Sequence, residues 1–250
     1  MLDTLSYVNF IILDISKAFD SVRHNTLLEK LSQLPVSDSL YNWLKDFFEG
    51  RTHSTKINSI LSAPLKINAS VIQGSGIGPA SFTVNSSDLQ PTKVGIKLVK
   101  YADDLTLVVP SSCSAYVQSE LDHIISWARK NNLKLNMAKS SELVLYKKGT
   151  SPVVPPPLPH LNRVTCVKLL GVLLDQTLFF RQHVDHMIAK GAQALFAMKL
   201  LKKHGLKQPD LSRVTRSVLQ NRILYASPSW IGFLSAHDLD RIRALSKKNS

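Results

Sequence analysis

The chain has 250 residues, of which 44% are hydrophobic, so it is long enough for one large domain or two smaller ones with an ordinary core. Lysine and arginine outnumber aspartate and glutamate by 31 to 18, which gives a formal net charge of +13. These values exclude disorder as the default state and indicate a polyanionic partner, of which nucleic acid is the commonest.

Cysteine usage and hydropathy narrow the class of protein further. The two cysteines, Cys113 and Cys166, lie far apart without a CxxC partner, which predicts neither a zinc site nor a disulfide framework and favours a reducing compartment. No stretch reaches the ~18 to 20 apolar residues of a membrane span, and the N-terminus lacks the pattern of a signal peptide. The sequence therefore predicts an intracellular protein with no membrane partner.

The first predicted element is the continuous apolar run of residues 8–13, typical of a buried strand, which delivers Asp14 at its C-terminal end. Two amphipathic helices follow. The first is predicted with Asn25 as its N-cap, and the second with Ser37 as its N-cap and Gly50 at its end.

Short alternating stretches within residues 51–72 predict strands, and the glycine-rich segment 73–79 leads into a helix predicted to end near Leu89. The next predicted elements are a hairpin over residues 100–109, a helix around Leu121, Ile124, Ile125 and Ala128, and a strand over residues 141–146. Helices and strands therefore alternate, which indicates a mixed class.

The proline-rich segment 151–160 predicts a linker, because its prolines remove backbone donors and keep the chain extended. Residues 167–174 then predict a strand with Gly171 inside it, and the chain from Phe179 onward is mostly helical. Residues 190–248 carry twelve basic and three acidic residues, so this region is predicted to face phosphates.

Three carboxylates stand at predicted strand ends: Asp14, and the adjacent pair Asp103 and Asp104 at the hairpin tip. If the two elements pair in one sheet, the carboxylates converge. Mg²⁺ is usually held by one or two carboxylates plus substrate phosphates, and two such ions ~3.5–4 Å apart stabilise an in-line phosphoryl displacement.

An Asp-Asp pair by itself is more often a solvent-exposed turn. The apolar runs on both sides, the third aspartate and the basic chain favour metal-dependent chemistry on nucleic acid instead. The spacing alone fits a two-metal nuclease as well as a polymerase.

Six motifs, in order and spread over almost the whole chain, resemble the reverse transcriptases of non-LTR (LINE-type) retrotransposons. They are Asp14-Ile15-Ser16-Lys17-Ala18-Phe19-Asp20, Gln73-Gly74-Ser75 through Gly78-Pro79, Tyr101-Ala102-Asp103-Asp104, Leu135-Asn136-Met137-Ala138-Lys139-Ser140, Lys168-Leu169-Leu170-Gly171-Val172, and Arg222-Ile223-Leu224-Tyr225-Ala226 to Trp230. The resemblance implies an α+β right-hand polymerase fold: a palm of antiparallel sheet packed on helices, then a mostly helical thumb-like region.

The resemblance also implies a division of the chain. Residues 1–150 are expected to form the palm with motifs one to four, 151–160 the linker, 161–185 a primer-grip-like segment and 186–250 a basic thumb-like region. Only thirteen residues precede Asp14, so the fingers are expected to be largely missing, and fingers and endonuclease regions are expected upstream in the full-length element protein.

The activity that the resemblance implies is RNA-directed DNA polymerisation in the cytoplasm and nucleus, with an RNA template, a DNA primer and dNTPs as partners. Asp14, Asp103 and Asp104 are the implied metal ligands for two Mg²⁺ ions, with Mn²⁺ as a substitute. Lys139 is the fourth implied catalytic residue, near the leaving pyrophosphate, although a plain surface lysine is an equal alternative.

Further residues are placed by the same resemblance. Those implied to face the nucleotide are Ile15, Phe19, Gln73, Gly74 and Tyr101, and those implied in the primer grip are Leu170 and Gly171. Phe19 is expected beneath the incoming sugar, where a 2′-hydroxyl would clash with it. The alternatives are a core aromatic for Phe19 and a plain flexible turn for the glycines.

Two other functions remain open at this stage: a catalytically inert remnant that binds nucleic acid through its basic region, and a group II intron maturase, which shares the Tyr-Ala-Asp-Asp core. Asn85-Ser86-Ser87 replaces a more apolar segment, and Ile72 stands where a proline is common, which affects packing under the nucleotide site. The residues predicted to be solvated are His24, His53, His123, His183 and His186, and those predicted for the core are Trp43 and Trp127.

Overall fold

The computed structural model describes residues 4–247, which fold into two compact units. The described part of the first unit spans residues 4–144 and Ser151–Arg163, and that of the second spans Leu145–Thr150 and residues 164–247. Each unit has its own hydrophobic core. Within residues 4–247 no helix combines the length and the apolar character needed to cross a membrane.

The first unit is a mixture of strands and helices, in agreement with the predicted α+β class. Its strands are β1 (Val8–Leu13), β2 (Ile15–Ser16), β3 (Thr52–His53), β4 (Lys56–Ile57), β5 (Ile60–Leu61), β6 (Leu65–Lys66), β7 (Lys97–Tyr101), β8 (Asp104–Pro110), β9 (Lys134–Leu135), β10 (Ser141–Leu145) and β11 (Asn162–Val164), of which the last two end one residue beyond the bounds of the unit. Its helices are α1 (Ala18–Ser21), α2 (His24–Ser32), α3 (Asp38–Phe48), α4 (Gly78–Asn85) and α5 (Val117–Lys130), with a 3₁₀ helix at Ser111–Tyr116.

A five-stranded sheet of order β11-β10-β1-β8-β7 organises this unit. Strand β1 pairs antiparallel with β8 from Val8↔Pro110 to Leu13↔Leu105, and β7 pairs antiparallel with β8. Strand β8 is buried from Leu105 to Pro110, because both of its faces are covered. The predicted strand over residues 8–13 and the hairpin after Lys100 are confirmed.

The two early helices show where the sequence signals were reliable. Helix α3 begins after Ser37, whose Oγ accepts a hydrogen bond from the Leu40 N–H, so the predicted N-cap is confirmed. Helix α2 is capped by Arg23, and the prediction of Asn25 was wrong. The helix begins earlier because the His24 N–H is already satisfied by the Asn68 carbonyl at 2.9 Å, a partner distant in sequence.

Residues 51–67 form two nested hairpins, β3 with β6 and β4 with β5, as the alternating stretches predicted. Helix α4 ends at Asn85, earlier than predicted, and β10 ends one residue before the predicted limit.

Trp127 is buried as expected, but Trp43 is 53% exposed on α3 and was wrongly predicted as a core residue. The prediction of solvated histidines was wrong for His24, which is 5% exposed.

The proline-rich segment, interpreted from the sequence as a linker, lies in the first unit. Arg163 donates two hydrogen bonds of 2.9 Å to the fully buried Glu142 carboxylate. The same guanidinium donates to the carbonyls of Pro155 at 2.7 Å and Pro156 at 3.0 Å. This side chain therefore fastens the segment to β10, so the segment is not a free spacer.

The second unit is a hairpin followed by helices. Its elements are β12 (Cys166–Leu169), β13 (Val172–Asp175), α6 (Arg181–Lys203), α7 (Gln208–Thr215), a π-helical turn at Arg216–Gln220, α8 (Asn221–Leu224), α9 (Ser227–Trp230), a 3₁₀ helix at Ile231–Phe233 and α10 (Ala236–Lys247). The predicted helical character after Phe179 is confirmed. The predicted boundary between residues 185 and 186 falls inside α6.

One element of this unit differs from its prediction. Residues 167–174 form a hairpin of β12 and β13 instead of a single strand. Leu170 and Gly171 both have positive φ, 44° and 86°. That sign pattern belongs to the type I′ turn, which reverses the chain in two residues. His183, also predicted to be solvated, is 6% exposed in this unit, where its ring packs edge-on against Trp230.

Candidate active site

The pairing of β1 with β8 brings the predicted carboxylates to one edge of the sheet. Leu13 faces Leu105 in the ladder, so Asp14, the next residue, lies beside Asp104, the residue before Leu105. Tyr101 pairs with Asp104 across the β7–β8 hairpin, which leaves Ala102 and Asp103 as its two-residue loop. The condition stated from the sequence, that both elements share one sheet, is therefore met.

The three carboxylates interact electrostatically. Burial raises the pKa of the Asp104 carboxyl above its ordinary value, and the negative charges of Asp103 and Asp14 raise it further. Among residues 4–247 no three His, Cys, Asp or Glu side chains are already gathered as a metal-binding group. The site is thus a set of neighbouring, mutually repelling carboxylates whose hard oxygen donors match the ligands that Mg²⁺ prefers.

The backbone of Asp14 is fixed by the segment that carries the fourth motif. Its N–H donates to Ser140 Oγ at 3.1 Å, and its carbonyl accepts from the Asn136 N–H at 2.8 Å. Next to it, Ile15 pairs with Leu135 where β2 meets β9. The fourth motif therefore supports the first, a role for Ser140 and Asn136 that sequence reasoning missed, since only the pairing of β2 with β9 reveals it.

Lys139 lies on the exposed turn between these two supports. Its N–H donates to the carbonyl of Asn136 at 3.1 Å, and Asn136 is the residue whose own N–H binds the Asp14 carbonyl. The exposed side chain is consistent with either of its two sequence interpretations, a catalytic lysine or a surface lysine.

The loop that carries Asp103 is conformationally strained. Ala102 has φ of 50°, a left-handed conformation that disfavours a residue with a Cβ. A positive φ at the first loop position alone is the pattern of a type II′ turn, which usually has glycine there. Strain of this kind concentrates at functional sites, where the surrounding structure maintains it.

Two of the five residues expected to face the nucleotide, Phe19 and Gln73, make contacts that connect the first motif with the second or with residues close to it. Phe19 is half-buried and stacks on the fully buried Phe82 with ring centroids 5.0 Å apart, while its carbonyl accepts from the Val71 N–H at 2.8 Å. Gln73 is exposed, and its Nε2 donates to Asp20 Oδ1 at 3.4 Å. The loop before α4 is thus tied to the segment after Asp14.

The other three differ in exposure. Gly74 has φ of 84°, and a Cβ placed on it would meet nothing within 4 Å. Tyr101 is 65% exposed at the end of β7. The Ile15 side chain is only 4% exposed in the core, so any contact it makes with a nucleotide must come from its backbone.

The residues expected in the primer grip lie in the second unit. The Tyr225 hydroxyl donates to the Leu170 carbonyl at 2.8 Å, and a Cβ added at Gly171 would lie 2.9 Å from Tyr225 Cε1. The fifth and sixth motifs are therefore packed against each other. A glycine is required in this turn both for its positive φ and for the close approach of the tyrosine ring.

An antiparallel sheet that presents carboxylates from two adjacent strands, backed by helices, defines a polymerase-type palm. The family model described as "Reverse transcriptase (RNA-dependent DNA polymerase)" matches residues 3–174. The chain belongs to the reverse transcriptase family, and the resemblance found in its motifs is confirmed.

The curated relatives come from mobile elements. The chain is 29% identical over 265 residues to a probable RNA-directed DNA polymerase from transposon X-element of Drosophila melanogaster, covering 98% of this chain and 28% of that protein. It is 28% identical over 261 residues to the RNA-directed DNA polymerase from mobile element jockey of Drosophila funebris, covering 99% of this chain and 28% of that protein. The chain thus spans less than a third of the length of these relatives.

A solved structure supports the fold. Telomerase from Candida tropicalis, in complex with a fragment of telomeric RNA, superposes with a TM-score of 0.54 at 12% identity, covering 99% of this chain and 43% of that chain. At this identity the likeness establishes the fold, in agreement with the predicted polymerase architecture.

Proposed function

We propose that this chain is the reverse transcriptase domain of a non-LTR retrotransposon protein and that it extends a DNA primer on an RNA template with dNTPs. The observation that carries the proposal is the antiparallel pairing of β1 with β8, which places Asp14 beside Asp104. Family membership over residues 3–174 supports the same chemistry.

Members of this family use divalent metal ions, and the donors of this site fit such a cation. Asp14, Asp103 and Asp104 would hold it, because they supply only carboxylate oxygens. Burial and then the charges of Asp103 and Asp14 raise the pKa of Asp104, and a bound cation would relieve that repulsion. Bound as a pair, Mg²⁺ ions, or Mn²⁺ in their place, supply activation of the primer 3′-hydroxyl and neutralisation of the triphosphate charge.

The protein's own residues position the reactants. The β2–β9 pairing and the Ser140 hydroxyl hold the Asp14 backbone in place, which preorganises its carboxylate. Lys139 is proposed to attract or protonate the leaving pyrophosphate. Phe19, braced by Phe82, is proposed to lie beneath the sugar of the incoming nucleotide and to exclude a 2′-hydroxyl.

The remaining residue roles also come from the family resemblance. Gln73 and Gly74 are proposed to contact the nucleotide before α4, and Tyr101 and the Ile15 backbone to line the same site. Leu170 and Gly171 are proposed to support the primer end. No atom lies within 4 Å of a Cβ placed on Gly74, which leaves room for a base pair to approach the backbone there.

Incorporation of dNTPs on a primed RNA template, with Mg²⁺, tests this function. The purified chain is compared with the double variant Asp103→Asn, Asp104→Asn, which keeps the size of both side chains and removes both charges. The expected result is incorporation by the natural chain and loss of at least ~10³-fold in the variant, the order of effect of removing electrostatic stabilisation in an active site. Asp46→Asn, an exposed aspartate on α3, is the matched control.

The alternatives give other outcomes. Folded protein that binds template but incorporates no dNTP indicates the inert remnant. Degradation of the template in place of extension indicates a two-metal nuclease, and activity that depends on an intron RNA indicates a maturase. The excess of basic residues in the sequence 190–248 supports nucleic acid as the partner in each case, and cytoplasmic and nuclear localisation stays a prediction.

A further inference from the structure

The C-terminal end of α4 is held by two lysine side chains that come from different elements. Lys30 of α2 donates to the Asn85 carbonyl at 2.5 Å and also to Asp88 and Asn131. Lys100 of β7 donates to the carbonyls of Ser86 at 2.7 Å and Leu89 at 2.9 Å. Lys30 therefore binds the last carbonyl of α4, which has no intrahelical partner, whereas Lys100 binds the segment that follows the helix, residues 86–89.

Lys100 differs from Lys30 in what it is attached to. It directly precedes Tyr101-Ala102-Asp103-Asp104, and it pairs with Leu105 in the β7–β8 ladder. Its two hydrogen bonds thus connect the start of the carboxylate hairpin to the segment that directly follows α4. Lys30 contacts the same helix end from α2 and has no such connection along the chain.

Helix α4 in turn contacts the other parts of the proposed nucleotide site. It begins at Gly78, directly after the Gln73–Gly74 loop, and its Phe82 stacks on Phe19. One short helix therefore links the loop at its start, the aromatic ring in its middle and, through Lys100, the carboxylate hairpin at its end.

The lysines contact the polar segment Asn85-Ser86-Ser87 through the backbone carbonyls of Asn85 and Ser86, so these contacts do not depend on its polar side chains. Ser86 is buried, and its carbonyl receives the ammonium group of Lys100. Burial lowers the pKa of Lys100, with Lys30 contributing in the same direction and Asp88 opposing it. A half-buried cation remains favourable there because two carbonyls and the nearby Asp88 carboxylate compensate for its lost water.

We propose that Lys100 is a positioning residue, which holds the Asp103–Asp104 hairpin against the end of α4 and so sets the carboxylates relative to the nucleotide. The expected effect on catalysis rests on the proposed function. The expected effect on the stability of the hairpin does not. It acts through the hairpin, without contact with the reacting atoms.

Hydrogen–deuterium exchange of the full chain tests whether Lys100 holds the hairpin, and it does not require activity. In Lys100→Met, which keeps an unbranched side chain one atom shorter and removes the charge, the amides of residues 101–105 are expected to exchange about 10-fold faster, the effect of losing a charged hydrogen bond. Lys97→Met, an exposed lysine on the same strand, is expected to leave them unchanged. Lys30→Met is expected to speed exchange in α4 and to spare the hairpin.

Two exchange results overturn the proposal: unchanged hairpin exchange in Lys100→Met, or equal acceleration of hairpin exchange by Lys30→Met, which indicates general loosening. Should Lys100→Met fail to fold, Lys100→Arg provides the measurement, since it retains donor and charge and is expected to preserve most of the protection. Lys100→Gln, which is neutral but keeps a hydrogen-bond donor, is expected to expose the hairpin partially.

Steady-state kinetics test whether Lys100 affects catalysis. Lys100→Met is expected to lower kcat for dNTP incorporation about 10-fold with little change in the KM for primed template, and Lys100→Arg to restore most of it. If the natural chain shows no incorporation, the proposed function fails. The exchange experiment still shows whether Lys100 stabilises the hairpin. If exchange changes and kcat does not, the positioning role is overturned.

Discussion

Asp104 links the chemistry of the site to the stability of the first unit. Its pKa is raised by burial and then by the charges of Asp103 and Asp14, so the folded state binds this proton more tightly than the unfolded chain. The stabilisation from this group is therefore present at low pH and is lost as pH rises through the raised pKa, above the ordinary value of 3.8. At neutral pH the ionised carboxylate opposes folding.

Replacing Asp104 with asparagine is expected to raise the Tm at pH 7 by about 1–2 °C, because repulsion among exposed charges is worth well under ~1 kcal/mol. The gain is expected to disappear as pH falls through the raised pKa of Asp104, because the natural side chain then becomes protonated. Thermal melts by circular dichroism between pH 3.5 and 7 measure this. A gain that is independent of pH, or shared by Asp46→Asn, contradicts the electrostatic origin.

A second single-residue prediction concerns the substitution of Gly171. Gly171→Ala is expected to destabilise the second unit by about 2 kcal/mol or more, because the φ of 86° disfavours a Cβ and because that atom would lie 2.9 Å from Tyr225. Urea-dependent hydrogen exchange of α6 reports the free energy of unfolding.

The matched variant for this test is Gly205→Ala. Its φ of 92° carries the same backbone strain, but no atom lies within 4 Å of the new Cβ. A loss of about 1 kcal/mol is expected there. Equal losses at the two glycines would mean that the Tyr225 contact adds nothing.

The pairing of Glu142 with Arg163 acts on a whole element, because it fastens the proline-rich segment to β10. Arg163→Met is expected to destabilise the first unit by about 3 kcal/mol, since it leaves a fully buried carboxylate without its cation. The double variant Glu142→Leu, Arg163→Met removes the charge as well and is expected to recover at least ~1 kcal/mol.

Urea unfolding of the three proteins tests this coupling, and a double variant no more stable than Arg163→Met alone contradicts it. Limited proteolysis at residues 151–160 provides a second measurement. Faster cleavage is expected in both variants, because both lose the hydrogen bonds from Arg163 to Pro155 and Pro156.

Element predictions succeeded where the deciding interaction is local. Ser37 caps α3 through its own side chain, so the sequence signal and the structure agree. The start of α2 depends on a hydrogen bond from His24 to Asn68, and the hairpin of β12 and β13 depends on positive φ at Leu170 as well as Gly171. A leucine in that conformation has no sequence signature, because its intrinsic preference is against it.

For the molecule as a whole, net charge leads to a prediction about nucleic-acid binding. With +13 overall, affinity for a primed RNA template is expected to fall roughly 10³-fold between 50 and 200 mM salt, as for a protein that makes about six phosphate contacts. Fluorescence anisotropy with a labelled template measures the slope. Affinity that barely changes with salt contradicts a phosphate-facing surface.

The test can be localised to the basic region of residues 190–248. Neutralising Lys199 and Lys202 to glutamine is expected to reduce the magnitude of the salt slope by about 2, one for each lost phosphate contact. Asp103→Asn, Asp104→Asn is expected to leave the slope almost unchanged, since those residues act on the reaction and not on backbone binding. The opposite ranking would place the nucleic acid elsewhere.

The sequence by itself determined the family, the order of the six motifs, the identity of the carboxylates and the basic character of the chain, because these depend on residue type and spacing along the chain. Only the tertiary structure decided that Asp14 and Asp104, ninety residues apart, lie side by side, that Ser140 supports Asp14, and that Lys100 joins the hairpin to α4. Such contacts depend on strand register and on the path of the segment after α4, and both are set by packing over long sequence separations.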